Sequence, residues 1–366
     1  MTTPDSPRGT DAPVLTRIDD RTGRVTLNRP RALHALNLEM CADMLRALQA
    51  WRGDRGVRAV LLDHSGERGF CAGGDIRAIV EAGIRAQEAA QDFFRTEYQL
   101  NHLLFTYPKP TVAFVDGIVM GGGVGISMPC RFRVGTERTL FAMPETAIGL
   151  FPDVGGGWYL PRLPGQVGTW LALTGARLRA ADCVELGIAT HFVPSERLPE
   201  LKRAIVDVVS AQNGEAAASV ITTELNRFTA DPGVGAVEAQ LGDIDRLFAF
   251  DTVEEIFAAL EADGGEWAAK ELEGLRAKSP QALKVTLRQM REGARMASFA
   301  DEMSMEFRMA SRVALLPDFA EGVRACLVDK DQAPRWNPPT LEGVGEDLLR
   351  TVFARLPADV EWTPAA

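Results

Sequence analysis

The sequence predicts an α/β fold whose C-terminal part is mostly helical. Three features carry this reading. Short apolar runs of strand character alternate with helical runs up to about residue 195. Two of those strand runs lead directly into glycine-rich loops, the order expected of parallel strands joined by helices. Beyond residue 195 the strand signals fade and only helical periodicity remains.

Residues 1–12, MTTPDSPRGTDA, are polar and read as a disordered segment. The predicted organisation is that segment, an α/β core over 13–195 and a helical region over 196–366. VTL at 25–27 favours a strand, because β-branched side chains suit a pleated surface. Over 36–51, Leu38, Cys41, Leu45 and Leu48 recur at helical spacing. VRAVLLD (57–63) and TVAFVDG (111–117) are nearly unbroken apolar runs, as strands buried on both faces require. A helix is expected over about 82–106, ending before Pro108. FRVG (132–135) and IATHFV (188–193) complete the strands. LKRAIVDVVSAQ, VEEIFAALEAD, EWAAKELEGLRAKS and SFADEMSMEFRMASRVALL read as helices, with their Trp, Met and Phe residues as core.

The 366 residues are 46% hydrophobic and 25% charged, the balance of an ordinary globular chain. A net charge of −10 argues against general nucleic-acid binding. It leaves room for a small anionic ligand, since 34 arginines against six lysines offer bidentate grips. Five scattered cysteines without a CxxC pair suggest reduced thiols, and hence a cytoplasmic protein. The N-terminus resembles neither a secretory signal nor a transit peptide, and no apolar run reaches about 18 residues, so no membrane span is expected.

The most informative stretch is FAMPETAIGLFPDVGGG, residues 141–157. Glu145 and Asp153 stand among apolar residues and glycines, company in which carboxylates are rarely left unless paired or employed. Pro144 and Pro152 stiffen the backbone just before each acid. Upstream, FCAGGD (70–75) and MGGGVG (120–125) can bring backbone N–H groups close to a ligand. Donors plus two acids suit acyl transfer or carbonyl activation. The GGG turn fits neither a dinucleotide fingerprint, a phosphate loop nor a nucleophile elbow, and tight packing is its alternative use. Cys71 reads as a small buried hydrophobe before it reads as a nucleophile. The four histidines form no metal-type pair. Glu97, taken alone, reads as a solvated helix position.

Four stretches, VTLNRPRALHALNLEM (25–40), GFCAGGDIRAI (69–79), VDGIVMGGGVGIS (115–127) and FAMPETAIGLFPDVGGGWYLPRLPG (141–165), together resemble the crotonase, or enoyl-CoA hydratase/isomerase, superfamily. DFAEGVRACLVDKDQAPRWNP (318–338) is similar to the C-terminal signature of its 3-hydroxyisobutyryl-CoA hydrolase subfamily. The resemblance implies a crotonase-like spiral of β-β-α units with a helical C-terminal region. It implies an acyl-CoA thioester whose carbonyl is polarised by the N–H groups of Gly74 and Gly122. Glu145 matches one hydratase glutamate, while the place of the other is held by Gly125. Asp153 matches the second acid of the hydrolases, and Glu97 a substrate-contacting glutamate. Arg31, Ala32 and Leu33, with Ala72, Asp75 and Ile76, match substrate-flanking positions. The implied reaction is hydrolysis of a short branched 3-hydroxyacyl-CoA in valine breakdown, with no metal and no cofactor beyond the CoA of the substrate. The rivals are a hydratase or isomerase and a silent acyl-CoA binder. Superfamily members often form trimers or hexamers, so a homo-oligomer is one expectation; a tail folded back on its own chain is the other.

Overall fold

The computed structural model describes residues 11–81, 86–211 and 216–365. Residues 1–10 of the expected disordered segment, 82–85 of the expected helix and Gln212 lie outside the described residues. The chain forms two compact units, each discontinuous in sequence. The first comprises Met1–Gly74, Leu103–Phe141 and Leu178–Gly235; the second comprises Asp75–His102, Ala142–Arg177 and Ala236–Ala366.

The first unit holds the sheets. The strands are β1 (Val14–Asp19), β2 (Thr22–Leu27), β3 (Ala59–His64), β4 (Gly69–Cys71), β5 (Thr111–Val115), β6 (Ile118–Met120), β7 (Phe132–Gly135), β8 (Leu140–Ala142), β9 (Leu178–Arg179) and β10 (His191–Phe192). One sheet has the order β1-β2-β3-β5-β7-β10, and the smaller has the order β4-β6-β8-β9. Apart from the antiparallel β1–β2 hairpin, the larger sheet is parallel. From β3 to β8, successive strands alternate between the sheets, and each pair runs on into a helix or helical turn, so the β-β-α repeat is present.

Sequence explains this packing. Alternate residues of β3, β5 and β7 (Ala59 and Leu61, Val112 and Phe114, Phe132 and Val134) face one core. Helix Leu198–Ala211 covers it with Leu198, Leu201, Ile205 and Val209, a stripe at helical spacing. Helix Ala217–Phe228 adds Ile221, Leu225 and Phe228. The smaller sheet was not anticipated, because strands of two or three residues are too short to show a period of two. β10 is shorter than IATHFV suggests, yet backbone bonds from Thr190 N–H to Arg133 and from Val193 N–H to Gly135 extend its pairing with β7.

The second unit is helical. Beyond Phe192 no strand occurs among the described residues. Helix Ala86–Phe105, most of which belongs here, runs where a helix was expected. The C-terminal tail folds back within this unit. Trp362 is fully buried and its indole N–H donates to the Arg95 carbonyl (3.4 Å), while Glu361 pairs with Arg308 (2.7 Å). Among the described residues, no helix is long and apolar enough to cross a membrane.

Candidate active site

In the first unit the two glycine loops lie side by side. Gly73 has φ +121°, and a Cβ built there would stand 4.0 Å from the Gly122 amide nitrogen. Gly122 opens helix Gly122–Ser127; the Val124 and Gly125 N–H groups donate to the Gly121 carbonyl (2.7 and 3.2 Å), and the Gly122 and Gly123 N–H groups precede the first helical bond. A Cβ on Gly123 would stand 2.5 Å from the Cys71 carbonyl oxygen, so this glycine serves close packing as well. Cys71 is fully buried and its thiol donates to the His34 carbonyl (3.2 Å), in keeping with a packing role. Gly125 is buried within the same short helix.

The segment bearing Arg31, Ala32 and Leu33 is tied to the first glycine loop. Ala72 N–H donates to Leu33 O at 3.0 Å, and Leu36 N–H to Gly73 O at 2.8 Å; Gly74 itself bridges Leu36. The turn is pinned by His34. Its Nδ1 accepts from Arg29 N–H (2.9 Å) and its Nε2 donates to the Ser65 carbonyl (2.9 Å), an assignment that follows from the two partners. His34 is thus a satisfied structural side chain, and burial lowers its basicity. Arg31 stays exposed on the turn Pro30–Ala32. Asp75 and Ile76, the first half-buried and the second buried, begin the next segment, which belongs to the second unit.

The acids gather in the second unit. Glu145 begins the helical turn Glu145–Ile148, and Asp153 follows in the next loop; each is only 5% exposed. Glu97 is 1% exposed, which overturns its reading as a solvated helix position. Its frame explains why: Ala90, Phe93, Phe94, Glu97, Tyr98, Asn101 and Leu104 form the buried stripe of their helix, so Glu97 falls on the apolar face. The Tyr98 hydroxyl donates to Asp153 Oδ2 at 2.8 Å.

Three carboxyls this close cannot all ionise. Burial, then Asp153 and Glu145, hold Glu97 well above the ordinary carboxyl range. Burial and Asp153 raise Glu145 likewise, against a pull from its own backbone amide. Burial pushes Asp153 up to about 7, while the Tyr98 hydroxyl and its own amide favour its charged form. Glu97 Oε1, Glu145 Oε2 and both side-chain atoms of Asn101, one turn beyond Glu97, are buried without a hydrogen-bond partner. Buried polar atoms are seldom left so unless a ligand or water meets them.

Four further residues escaped the sequence reading: Tyr98, Gln289, Glu302 and Glu306. Glu306 accepts from Gly155 N–H (2.8 Å), Gly157 N–H (3.1 Å) and the Gln289 amide (3.1 Å). The signal for the two glutamates was present. In SFADEMSMEFRMASRV, Phe299, Met303, Phe307 and Ala310 mark the buried face, and Glu302 and Glu306 fall in the same frame.

This fold and these two sets of groups define a class. The family model for enoyl-CoA hydratase/isomerase matches residues 22–353, and the chain belongs to that family. Within it, the chain is 47% identical to the 3-hydroxyisobutyryl-CoA hydrolase, mitochondrial, of Danio rerio, over 92% of this chain and 88% of that one. It is 45% identical to the protein of the same name from Homo sapiens, over 92% and 86%. Among solved structures, a carnitinyl-CoA dehydratase from Mycobacterium thermoresistibile matches with 39% identity and a TM-score of 0.88, over 97% of this chain and 99% of that one. An enoyl-CoA hydratase from Rhodobacter sphaeroides 2.4.1 matches with 39% identity and a TM-score of 0.86, over 96% and 100%.

Proposed function

We infer that the chain hydrolyses a short branched 3-hydroxyacyl-CoA thioester, 3-hydroxyisobutyryl-CoA by preference, to 3-hydroxyisobutyrate and CoA, a step of valine breakdown. The observation that carries this reading is the buried Glu145–Asp153 pair together with a glycine at 125. A hydratase needs two carboxyls to hold and split one water, and Gly125 has no side chain to offer.

Such a pair titrates as a unit, and its useful state carries one proton. Ionised Glu145 attacks the thioester carbonyl, forming a C–O bond. The Gly74 and Gly122 amides stabilise the resulting oxyanion; losing one such donor typically costs ~10²–10³ in rate. Collapse breaks the C–S bond, and the departing thiolate takes the proton of Asp153. Water then opens the anhydride, its proton passing to Asp153, which frees the acid and restores ionised Glu145 and protonated Asp153. Alternatively Glu145 takes a proton from water as that water attacks, with the same products. An Asp153 carboxyl near pH 7 suits proton transfer at neutral pH. Glu97, largely protonated, meets the substrate hydroxyl. No metal or redox group takes part, and CoA enters as part of the substrate, flanked by Arg31, Ala32, Leu33, Ala72, Asp75 and Ile76.

The names of the two 39%-identical structures favour a second reading, hydration of an enoyl-CoA or its reverse. One assay separates the readings. Protein is mixed with 3-hydroxyisobutyryl-CoA or crotonyl-CoA, and thiol release and alkene absorbance are followed together. Thiol release supports hydrolysis, alkene loss without thiol overturns it, and neither signal leaves a silent binder. All five cysteines are free, which suits a reducing compartment such as the cytoplasm, whereas the animal relatives are named mitochondrial. Cell fractionation decides the compartment, and sizing by light scattering decides whether the chain forms a homo-oligomer.

A further inference from the structure

The loop that carries Asp153 is held in a costly conformation. Val154 has φ +53°, a region that β-branched residues avoid, and Gly155 follows at φ +92°. For Val154 such a conformation persists only where the surroundings enforce it, while Gly155 adopts it freely. Here the enforcement is visible. On one side of Asp153 the Gln289 amide donates to the Pro152 carbonyl (2.7 Å). On the other, Gly155 N–H reaches Glu306 Oε2 (2.8 Å) and Gly157 N–H reaches Glu306 Oε1 (3.1 Å). Gln289 also donates to Glu306 Oε1 (3.1 Å), which joins the two grips. A Cβ on Gly155 would meet the Phe299 ring at 2.8 Å, and one on Gly157 would overlap Glu302 Oε1.

We propose that Glu306 and Gln289 are positioning residues for Asp153, clamping the backbone on both sides of it. The inference rests on the hydrolase reading, in which Asp153 moves the proton. Both oxygens of Glu306 face N–H donors, so Glu306 is the charged member of its pair, and the adjacent Glu302 holds the proton. Burial pushes Glu302 up to about 8; burial, Glu302 and Asp153 also raise Glu306 against the pull of the Gly155 and Gly157 amides, and it is the donors on both its oxygens that favour its charged form. The groups bearing on Asp153 and Glu306 are Glu97 and Tyr98 from helix Ala86–Phe105, Glu145 from its turn, and Glu302 from the same helix as Glu306, with Arg162 and Glu292 acting on Glu302. Glutamine at 306 would turn one acceptor into a donor facing a donor, and would also remove a negative charge near Asp153.

The test compares Glu306→Gln, Gln289→Met and Asp153→Asn in the full chain, with thiol release from 3-hydroxyisobutyryl-CoA, Michaelis constants, pH profiles and thermal unfolding. If the clamp positions Asp153, Glu306→Gln and Gln289→Met each lower turnover at least about tenfold with a Michaelis constant within about threefold, because a displaced proton donor affects the reacting state. Glu306→Gln also moves the alkaline limb of the profile to lower pH, since Asp153, the proton donor, ionises more easily without a neighbouring charge. Should Asp153→Asn be slow while both clamp variants keep wild-type turnover and profile, the clamp is wrong and the hydrolase reading stands. Should Asp153→Asn itself be fully active, the functional reading fails first. If Glu306→Gln does not fold, Gln289→Met, which keeps the acid pair, decides alone.

Discussion

Replacing Asp153 by asparagine should make the protein both slower and more stable, and the gain should depend on pH. An aspartate ordinarily titrates near 3.8, and burial lifts Asp153 to about 7. Below about pH 4 the group is protonated in folded and unfolded chains alike and costs nothing. As pH rises toward about 7 the unfolded chain releases the proton while the folded one retains it, so stability is lost through that window. About three pKa units at about 1.36 kcal/mol each amount to a cost of ~4 kcal/mol near pH 8. Asparagine removes the cost and still accepts from the Tyr98 hydroxyl, forgoing ~1 kcal/mol of charge assistance. The expected net gain is ~3 kcal/mol near pH 8 and well below ~1 kcal/mol near pH 4. With an unfolding entropy of about 2.1 cal/mol/K per residue over 366 residues, that gain raises Tm by about 4 °C. Differential scanning calorimetry near pH 4, 6 and 8, beside the thiol assay, checks it. An equal gain at every pH, or a loss near pH 8, would refute a buried, strained carboxyl at this position.

Glu145→Gln should lower turnover at least about tenfold while CoA still binds, and in the double variant with Asp153→Asn the loss should fall well short of the product of the single losses, as measured by thiol release. Arg31→Ala should raise the Michaelis constant more than it lowers turnover, since an exposed guanidinium suits a phosphate; an unchanged constant removes Arg31 from the substrate contacts. Gly123→Ala should destabilise the protein by ~1–3 kcal/mol in denaturant titration, because the new methyl meets the Cys71 carbonyl.

Much of this was legible in the sequence, for physical reasons. β7 coincides with FRVG because a short, isolated strand signal had clear borders, and the C-terminal helices followed their apolar stripes. Glu145 and Asp153 stood out because acids among glycines and apolar residues are costly to bury. Glu97 was harder: its neighbours FFRTEYQLNHLLF mix polar and apolar residues, and only the stripe from Ala90 to Leu104 reveals that it faces inward. Glu302 and Glu306 could have been found by the same count. The bonds from Gly155 and Gly157 to Glu306 span about 150 positions, and no local pattern encodes them. The smaller sheet was missed because its strands are shorter than any period.

The two glycine loops of the first unit divide the labour of change. A main-chain N–H is the same donor whatever side chain is attached, so mutation could abolish the carbonyl activation proposed there but hardly adjust it. At Gly123 even the smallest side chain is barred by the Cys71 carbonyl, so the platform tolerates little variation. On the proposed reading, the adjustable chemistry lies in side chains instead: an acid at 145, an acid or amide at 153, a side chain or none at 125. A chain built this way can move between adding water and breaking a thioester by changing a few side chains, without rebuilding the donors on which either reaction relies.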